Sequence, residues 1–186
     1  MVSRKPVSDP VFIQKLFSDA RFSWLWLVIR LYVGYDWVTA GYHKLLDPKW
    51  MSTGEALKGF WVNVTKIPAT GKPPITYDWY RVFLQSLLNS GAHTWFGKLI
   101  TIGELTIGLC LILGLFTGIA AIFGAFMNLN FMLAGSASTN PVLFMLAGLL
   151  ILAWKTSGYI GLDYWVLPAL GTPWTGPGKT ANVGGD

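Results

Sequence analysis

Five ionisable residues lie in apolar surroundings where a charge is costly, and their types could move protons. Between Leu99 and Trp154 the chain has a single charged side chain, Glu104. Another apolar segment, residues 22–44, carries four ionisable residues: Arg30, Asp36, His43 and Lys44. Carboxylates and histidine can act as proton donors and acceptors, and histidine titrates near neutrality. Glu104, Asp36 and His43 are therefore the candidate catalytic residues.

The depth of these groups along their helices predicts which of them can meet. At 1.5 Å per residue, Asp36 lies about 12 Å and Arg30 about 21 Å below Lys44, and Glu104 lies about 10 Å below the same end of the next helix. We expect Glu104 to pair with a cation of the first helix. Arg30 could reach up to it, or Lys44 could reach down. Asp36 and His43 would then form a second polar lobe.

Two asparagines, Asn128 and Asn130, reach the same level from a third helix. They lie about 200° apart around a helix, so we expect only one of them to join a given cluster. The residues placed to bind a cofactor are Arg30, Lys44, Asn128 and Asn130. A pocket at this level suits a quinone ring, whose chemistry needs proton donors and acceptors. The alternative is an ion pair that only fixes the order of the helices.

Other cofactors have no ligand pattern in this sequence. Cys110 is the only cysteine, so the chain alone can build no disulfide, CxxC pair or iron–sulfur cluster. His43 and His93 lack a third ligand motif, and we expect no metal or haem on this chain. The net charge of +5 is modest, and no nucleic-acid motif accompanies it. A bound quinone is the candidate cofactor.

The apolar segments that surround these residues predict an all-α fold, an integral membrane four-helix bundle. A helix crosses the hydrocarbon with about 20 mostly apolar residues. Lipid offers no partner for free backbone amides, which favours helices. The expected spans, bounded by the chain's Gly, Pro and Ser clusters, are residues 22–44, 95–116, 117–135 and 141–160.

The remaining segments are expected to lie outside the bilayer. Residues 1–21 predict an interfacial N-terminal segment, and residues 45–94 predict a capping loop with two interfacial helices between the first two spans. Residues 161–186 predict an irregular tail, and its part from Gly171 to Asp186 is expected to reach along a neighbouring subunit of a complex. We therefore expect a multi-pass protein of the cell membrane, in contact with lipid and with other subunits. Both termini lie on one side, which the basic N-terminus favours as cytoplasmic.

Particular residues within these spans resemble a known family. Arg30, Gly34, Gly41 and Lys44 in the first span, together with Gly103-Glu104, resemble the DoxX/DoxD family of small four-helix membrane proteins. Further motifs resemble the family's branch of large, DoxD-type subunits of thiosulfate:quinone oxidoreductases: Ser138-Thr139-Asn140-Pro141, Ala153-Trp154, Gly158-Tyr159, Gly161-Leu162-Asp163 and Leu167-Pro168.

The resemblance implies electron transfer from thiosulfate to a membrane quinone, with a second subunit. It also implies that Arg30, Lys44 and Glu104 are the family's intramembrane polar positions. This sequence departs from the branch at Lys155, where arginine is usual, and in its long aromatic loop, residues 49–93. The function expected from the sequence is a membrane subunit of a quinone-linked redox complex. The alternative is a non-catalytic anchor or assembly subunit of a larger membrane complex.

Overall fold

A computed structural model describes residues 9–172 and contains only helices and connecting turns, so the all-α prediction is confirmed for this part of the chain. The helices in chain order are α1 (Val11–Ser18), α2 (Ser23–Leu46), α3 (Pro48–Met51), α4 (Glu55–Thr65), α5 (Asp78–Asn89), α6 (His93–Leu113), α7 (Thr117–Leu133), α8 (Asn140–Leu152), α9 (Trp154–Ser157) and α10 (Asp163–Ala169). A 3₁₀ turn, Ala20–Phe22, joins α1 to α2.

Helices α2 and α6 approach most closely, because glycines leave no side chain at their interface. A Cβ built on Gly34 would lie 3.0 Å from the carbonyl oxygen of Gly108. One built on Gly108 would lie 2.6 Å from the backbone nitrogen of Val38, and one built on Gly41 would lie 3.1 Å from the Cβ of Glu104. Small residues allow helix backbones to pack in this way. Glu104 is therefore held directly against α2.

Helices α7 and α8 complete the bundle around an apolar core. The buried core side chains shared by the four long helices include Trp26, Val33, Trp37, Leu111, Ala121, Leu143 and Leu150. A second core lies between the bundle and the segment that the sequence predicts as a cap, and it includes Leu57, Trp61, Ile75, Tyr80 and Leu84. Helices α4 and α5 form in that segment, after the short α3. Their interfacial position stays a prediction.

The C-terminal end of the bundle differs from the sequence prediction. The segment expected as one span over 141–160 is broken, because α8 ends at Leu152 and α9 begins at Trp154. The expected irregular tail contains a helix, α10, whose backbone is held by the turn between α6 and α7: the Asp163 N–H donates to the Gly114 carbonyl at 2.7 Å. A contact so distant in sequence leaves no local pattern. The rest of the tail, residues 173–186, lies outside the described residues.

The N-terminal helix α1 packs on the end of the bundle where α2 begins. The indole N–H of Trp26 donates to the Leu16 carbonyl at 3.0 Å, and the Thr156 hydroxyl lies 3.1 Å from the Phe17 carbonyl. The opposite face of α1 exposes Val11 and Phe12. Residues 1–8 of the predicted N-terminal segment lie outside the described residues.

The outer surface of the bundle is strongly apolar. Large exposed side chains on the long helices include Val28, Tyr35, Leu99, Ile102, Leu109, Ile122, Phe123, Phe126, Val142 and Met145. By length and composition, one helix in the described part of the chain, α6, could cross a membrane by itself. Helices α7 and α8 are apolar but shorter.

Candidate functional site

A buried ion pair joins α2 to α6 at the end of the bundle nearest the cap. The Lys44 Nζ lies 2.9 Å from Glu104 Oε1 and 2.7 Å from Oε2, so it donates to both carboxylate oxygens. The Glu104 side chain is 1% exposed, whereas that of Lys44 is 19% exposed. The same ammonium lies 5.2 Å from the ring centre of Trp50, within the range of a cation–π contact. Of the two cations considered for Glu104, the structure therefore selects Lys44.

Arg30 has separate partners at the opposite end of the bundle. Its guanidinium donates to the carbonyls of Ser157 at 2.9 Å and Ile160 at 2.7 Å, and its side chain is buried. Gly114, with φ +66°, lies against the guanidinium and leaves no room for a Cβ. Arg30 thus fixes the segment that follows α9 and is distant from Glu104.

Asp163 is the acidic residue of this second buried cluster. Its Oδ1 accepts from the Phe116 N–H at 2.6 Å and its Oδ2 from the Thr117 N–H at 2.9 Å. The first N–H groups of a helix have no partner within it, so Asp163 caps the start of α7 from a distant part of the chain. In the sequence, Asp163 stands out only as part of the Gly161-Leu162-Asp163 motif. Asp163 is the first residue of the short helix α10, and no local sequence pattern indicates that it caps a helix elsewhere in the chain.

Asp36 and His43 do not form the predicted second lobe. Asp36 is half-buried and makes no hydrogen bond or ion pair within residues 9–172. His43 is exposed, and its ring contacts the neighbouring Tyr42 ring edge-on at 6.4 Å. No contact joins either residue to Glu104. Their role as catalytic residues stays a prediction.

The two asparagines separate, as their spacing predicts. Asn128 is completely buried, and neither atom of its amide has a hydrogen-bond partner among the described residues. Asn130 turns towards the cap. The Tyr80 hydroxyl lies 3.0 Å from the Asn130 carbonyl oxygen and 3.2 Å from its Oδ1, and the Asn130 amide donates to the Phe126 carbonyl at 2.8 Å.

Tyr80, on the cap helix α5, was not among the residues predicted for the site. Its side chain is 4% exposed, and burial raises the pKa of Tyr80 to about 12. The hydroxyl therefore keeps its proton at neutral pH and serves as a donor. The segment 45–94 contains many aromatic residues, and nothing in the sequence distinguishes Tyr80 from the others. Its contact with Asn130 depends on how α5 folds onto α7.

A large groove lies between α6 and α7 beneath the cap helices. Its volume is about 710 Å³, and its walls are almost entirely apolar. The residues that define its floor, mouth and cap-side end include Gly103, Cys110, Phe123, Phe126, Trp61 and Tyr80. Phe123 and Phe126 are exposed, so the groove opens sideways from the bundle. Of the residues predicted for the site, Asn130 alone lines this groove.

The described residues contain no group of three or more His, Cys, Asp or Glu side chains that could hold a metal ion. Arg30 and Lys44 are already engaged by carbonyls and by Glu104. The hydroxyl and amide groups that line the groove belong to Thr106 on α6 and to Tyr80 and Asn130 near the cap. The arrangement therefore offers an apolar space with a few hydrogen-bonding groups, among them Tyr80 and Asn130 near the cap.

The DoxX family model matches residues 25–137, which is more than half of the chain. The matched range contains the Lys44–Glu104 pair, the groove and both asparagines. No curated protein and no solved structure matches this chain. The chain therefore belongs to the DoxX family, which indicates a membrane protein.

Proposed function

We propose that this protein is a multi-pass membrane subunit of a quinone-linked redox complex. In this proposal α2, α6, α7 and the α8–α9 pair cross the bilayer, and both ends of the bundle domain lie on one side. The distribution of charge supports it, because Arg30 and Glu104 are buried while the exposed side chains of the long helices are mostly apolar. Intramembrane ionisable residues face the bundle interior in this way.

The lengths of the helices are consistent with four crossings. A rise of 1.5 Å per residue gives about 36 Å for α2, about 31 Å for α6 and about 25 Å for α7. Together α8 and α9 supply a similar length. The hydrocarbon core is about 30 Å thick, and a bilayer can thin locally around shorter helices.

The groove between α6 and α7 is the observation that carries the quinone assignment. Its volume of about 710 Å³ lies in the range of small-molecule sites. Apolar walls and a sideways opening suit an isoprenoid tail that enters from the acyl chains. The polar groups at the cap-side end suit the carbonyls of a ring.

Tyr80 and Asn130 are the residues that would hold the ring. The Asn130 amide has two N–H donors, and one of them is used by the Phe126 carbonyl. The other can donate to a quinone carbonyl. The Tyr80 hydroxyl donates its single proton to Asn130, so its part would be to orient the Asn130 amide towards the ring. When bound, the quinone supplies the redox chemistry by accepting two electrons and two protons.

The electron donor would act on another subunit. The groove walls are apolar, so a hydrophilic donor would have no favourable place in them. The resemblance of the C-terminal motifs makes thiosulfate the first donor to test. In this proposal the present chain binds and orients the quinone, while a partner subunit oxidises the donor and passes electrons on.

Quinone binding by the purified protein in detergent tests the proposal. A short-chain quinone such as decylubiquinone is titrated while tryptophan fluorescence is followed, because Trp61 lines the groove. The variant Gly103→Leu places a side chain in the groove, since a Cβ there makes only an ordinary 3.5 Å contact with Met127. Gly148→Leu is the matched control, because a Cβ at Gly148 meets no other described atom within 4 Å.

We expect saturable quenching in the native protein and in Gly148→Leu, with affinity at least tenfold weaker in Gly103→Leu. Equal affinity in both variants, or quenching that does not saturate, would contradict a quinone site in this groove.

The closed Lys44–Glu104 pair favours a second candidate, a non-catalytic anchor or assembly subunit. Both charges are satisfied by each other and do not line the groove. This candidate predicts that the protein co-purifies with a larger assembly whose quinone reductase activity is unchanged by Gly103→Leu. Loss of that activity in Gly103→Leu, but not in Gly148→Leu, would favour the redox subunit.

A further inference from the structure

Two polar groups in the centre of the bundle have no partner among the described residues. Asn128 is 0% exposed, and both its Oδ1 and its Nδ2 are unsatisfied. Trp37 is 3% exposed, and its indole N–H is also unsatisfied. Trp26 offers a direct comparison on the same helix, because it is equally buried but donates to the Leu16 carbonyl at 3.0 Å.

These groups share one interface. A Cβ built on Gly124 of α7 would lie 3.2 Å from the Trp37 indole nitrogen. Asn128 is one helical turn beyond Gly124, on the same face, and residues four apart in a helix have Cβ atoms about 5–6 Å apart. The indole N–H of α2 and the amide of α7 therefore lie at the same interface.

Glu104, on α6, lies one layer from Trp37 in the same part of the bundle. Its Cβ lies opposite Gly41, one turn beyond Trp37 on α2. One turn along α6, Ile107 lies against Gly124, at 3.4 Å from the position of a Cβ there. Trp37 and Gly124 thus form one layer, and Asn128 and Glu104 lie in the next layer towards the cap.

We propose that this interface between α2, α6 and α7 is an internal water-binding site that links Trp37 and Asn128 to the Glu104 carboxylate. Water has the donors and acceptors that these groups need. It can accept from the indole N–H of Trp37 and from the Asn128 Nδ2, and it can donate to the Asn128 Oδ1 and to a Glu104 carboxylate oxygen. Buried water makes about three hydrogen bonds to groups that would otherwise be unsatisfied. The site gives Glu104 a proton-exchanging neighbour other than Lys44.

A dry interface is the rival arrangement, and the sequence argues against it. A buried amide with no partner is unfavourable, and a leucine of similar size would pack there without that penalty. The flanking residues Met127 and Leu129 are apolar. An asparagine that bonds to no protein atom needs a small polar ligand to be satisfied.

Indole NMR of the full-length protein in detergent micelles tests the site. The protein is labelled with ¹⁵N-tryptophan, and cross-peaks between indole N–H protons and water are measured, with Trp37 and Trp26 assigned from Trp37→Phe and Trp26→Phe variants. We expect a water cross-peak at Trp37 and none at Trp26. Absence of a cross-peak at Trp37 in the native protein overturns the proposal without reference to any variant at position 128.

The variant Asn128→Leu locates the water. We expect the Trp37 cross-peak to fall at least fivefold while the Trp26 resonance stays in place, which also reports that the bundle is folded. A Trp37 cross-peak that keeps its intensity would place the water away from Asn128 and would overturn the site. Should Asn128→Leu not fold, Asn128→Met gives the same test with a more adaptable side chain.

Discussion

The two sides of α6 differ in how closely they pack against their neighbours and in where their polar groups lie. The side of α6 that faces α2 packs closely against it, because Gly34, Gly41 and Gly108 leave no side chains in the interface. The charge on this side, the Glu104 carboxylate, is paired with Lys44.

The side that faces α7 is open and holds about 710 Å³ of mostly apolar space. Its hydrogen-bonding side chains include Thr106 and, near the cap, Tyr80 and Asn130. In this molecule, buried charge lies where helices are in contact, and room for a ligand lies where they part.

The difference separates stability from binding. Unpaired charge in a low-dielectric interior is costly, so the Lys44–Glu104 pair needs the close α2–α6 contact to keep its geometry. The groove does not need α6 and α7 to pack closely, because its apolar walls can contact lipid when no ligand is bound. Substitutions on the α2 side of α6 should therefore alter stability, and those on the α7 side should alter binding.

The largest expected effect is on the ion pair. Lys44→Met leaves the Glu104 carboxylate buried without its cation, which should lower the free energy of unfolding by about 3 kcal/mol or more. Glu104→Leu should cost less, because Lys44 is 19% exposed and can turn its ammonium towards the surface. Both are measured by unfolding in mixed micelles.

The double variant Lys44→Met/Glu104→Leu is the control for this pair. It removes both charges, so its stability should return close to that of the native protein. A double variant destabilised by the sum of the two single effects would show that the charges contribute independently and that the pair is not the unit of stability.

Asp163→Ala should have the next largest effect. It leaves the N–H groups of Phe116 and Thr117 unsatisfied and removes the anion nearest to Arg30, which should cost about 2 to 3 kcal/mol. Asp163→Asn keeps one good acceptor and should lie between Ala and the native protein. If the two variants unfold at the same denaturant concentration, the cap is not what stabilises this end of the bundle.

Two glycine substitutions test how tightly α2 packs against α6. Gly108→Ala puts a Cβ 2.6 Å from the Val38 backbone nitrogen, and the overpacking should cost about 2 kcal/mol. Gly148→Ala, in open space on α8, should instead stabilise by a few tenths to about 1 kcal/mol through helix propensity. Equal stabilities in thermal unfolding would mean that the two helices can separate easily.

The smallest effect is expected on the α7 side. Tyr80→Phe removes one hydroxyl from the end of the groove, which should weaken quinone binding by about fivefold, or about 1 kcal/mol. Its effect on stability should be of similar size, because the hydroxyl's bond to Asn130 is also lost. Unchanged quinone affinity in Tyr80→Phe would place the ring elsewhere.

Much of the fold follows from the sequence. The long apolar segments predict helices close to α2, α6 and α7, and the spacing of Asn128 and Asn130 predicts that they face different partners. These features depend on helical period and composition, which are local. The sequence also predicts that Glu104 pairs with a cation of the first helix, although it does not choose between Lys44 and Arg30.

The remainder depends on contacts between distant segments. Asp163 caps α7 across 46 residues, and Tyr80 reaches Asn130 across 50. Neither bond leaves a periodic pattern. The predicted lobe of Asp36 and His43 is absent because both follow a face of α2 that turns away from the α2–α6 contact, and rotation about a helix axis is set by packing.

Photolabelling with an azidoquinone in native membranes is the most direct test of whether the groove between α6 and α7 binds a quinone. Mass spectrometry of the labelled peptides locates the ring and tail. We expect labels on groove residues such as Phe60, Tyr80 and Phe126, and their loss in Gly103→Leu but not in Gly148→Leu. Labels concentrated around Asp36 and His43, or spread evenly over the apolar surface, would contradict quinone binding in the groove.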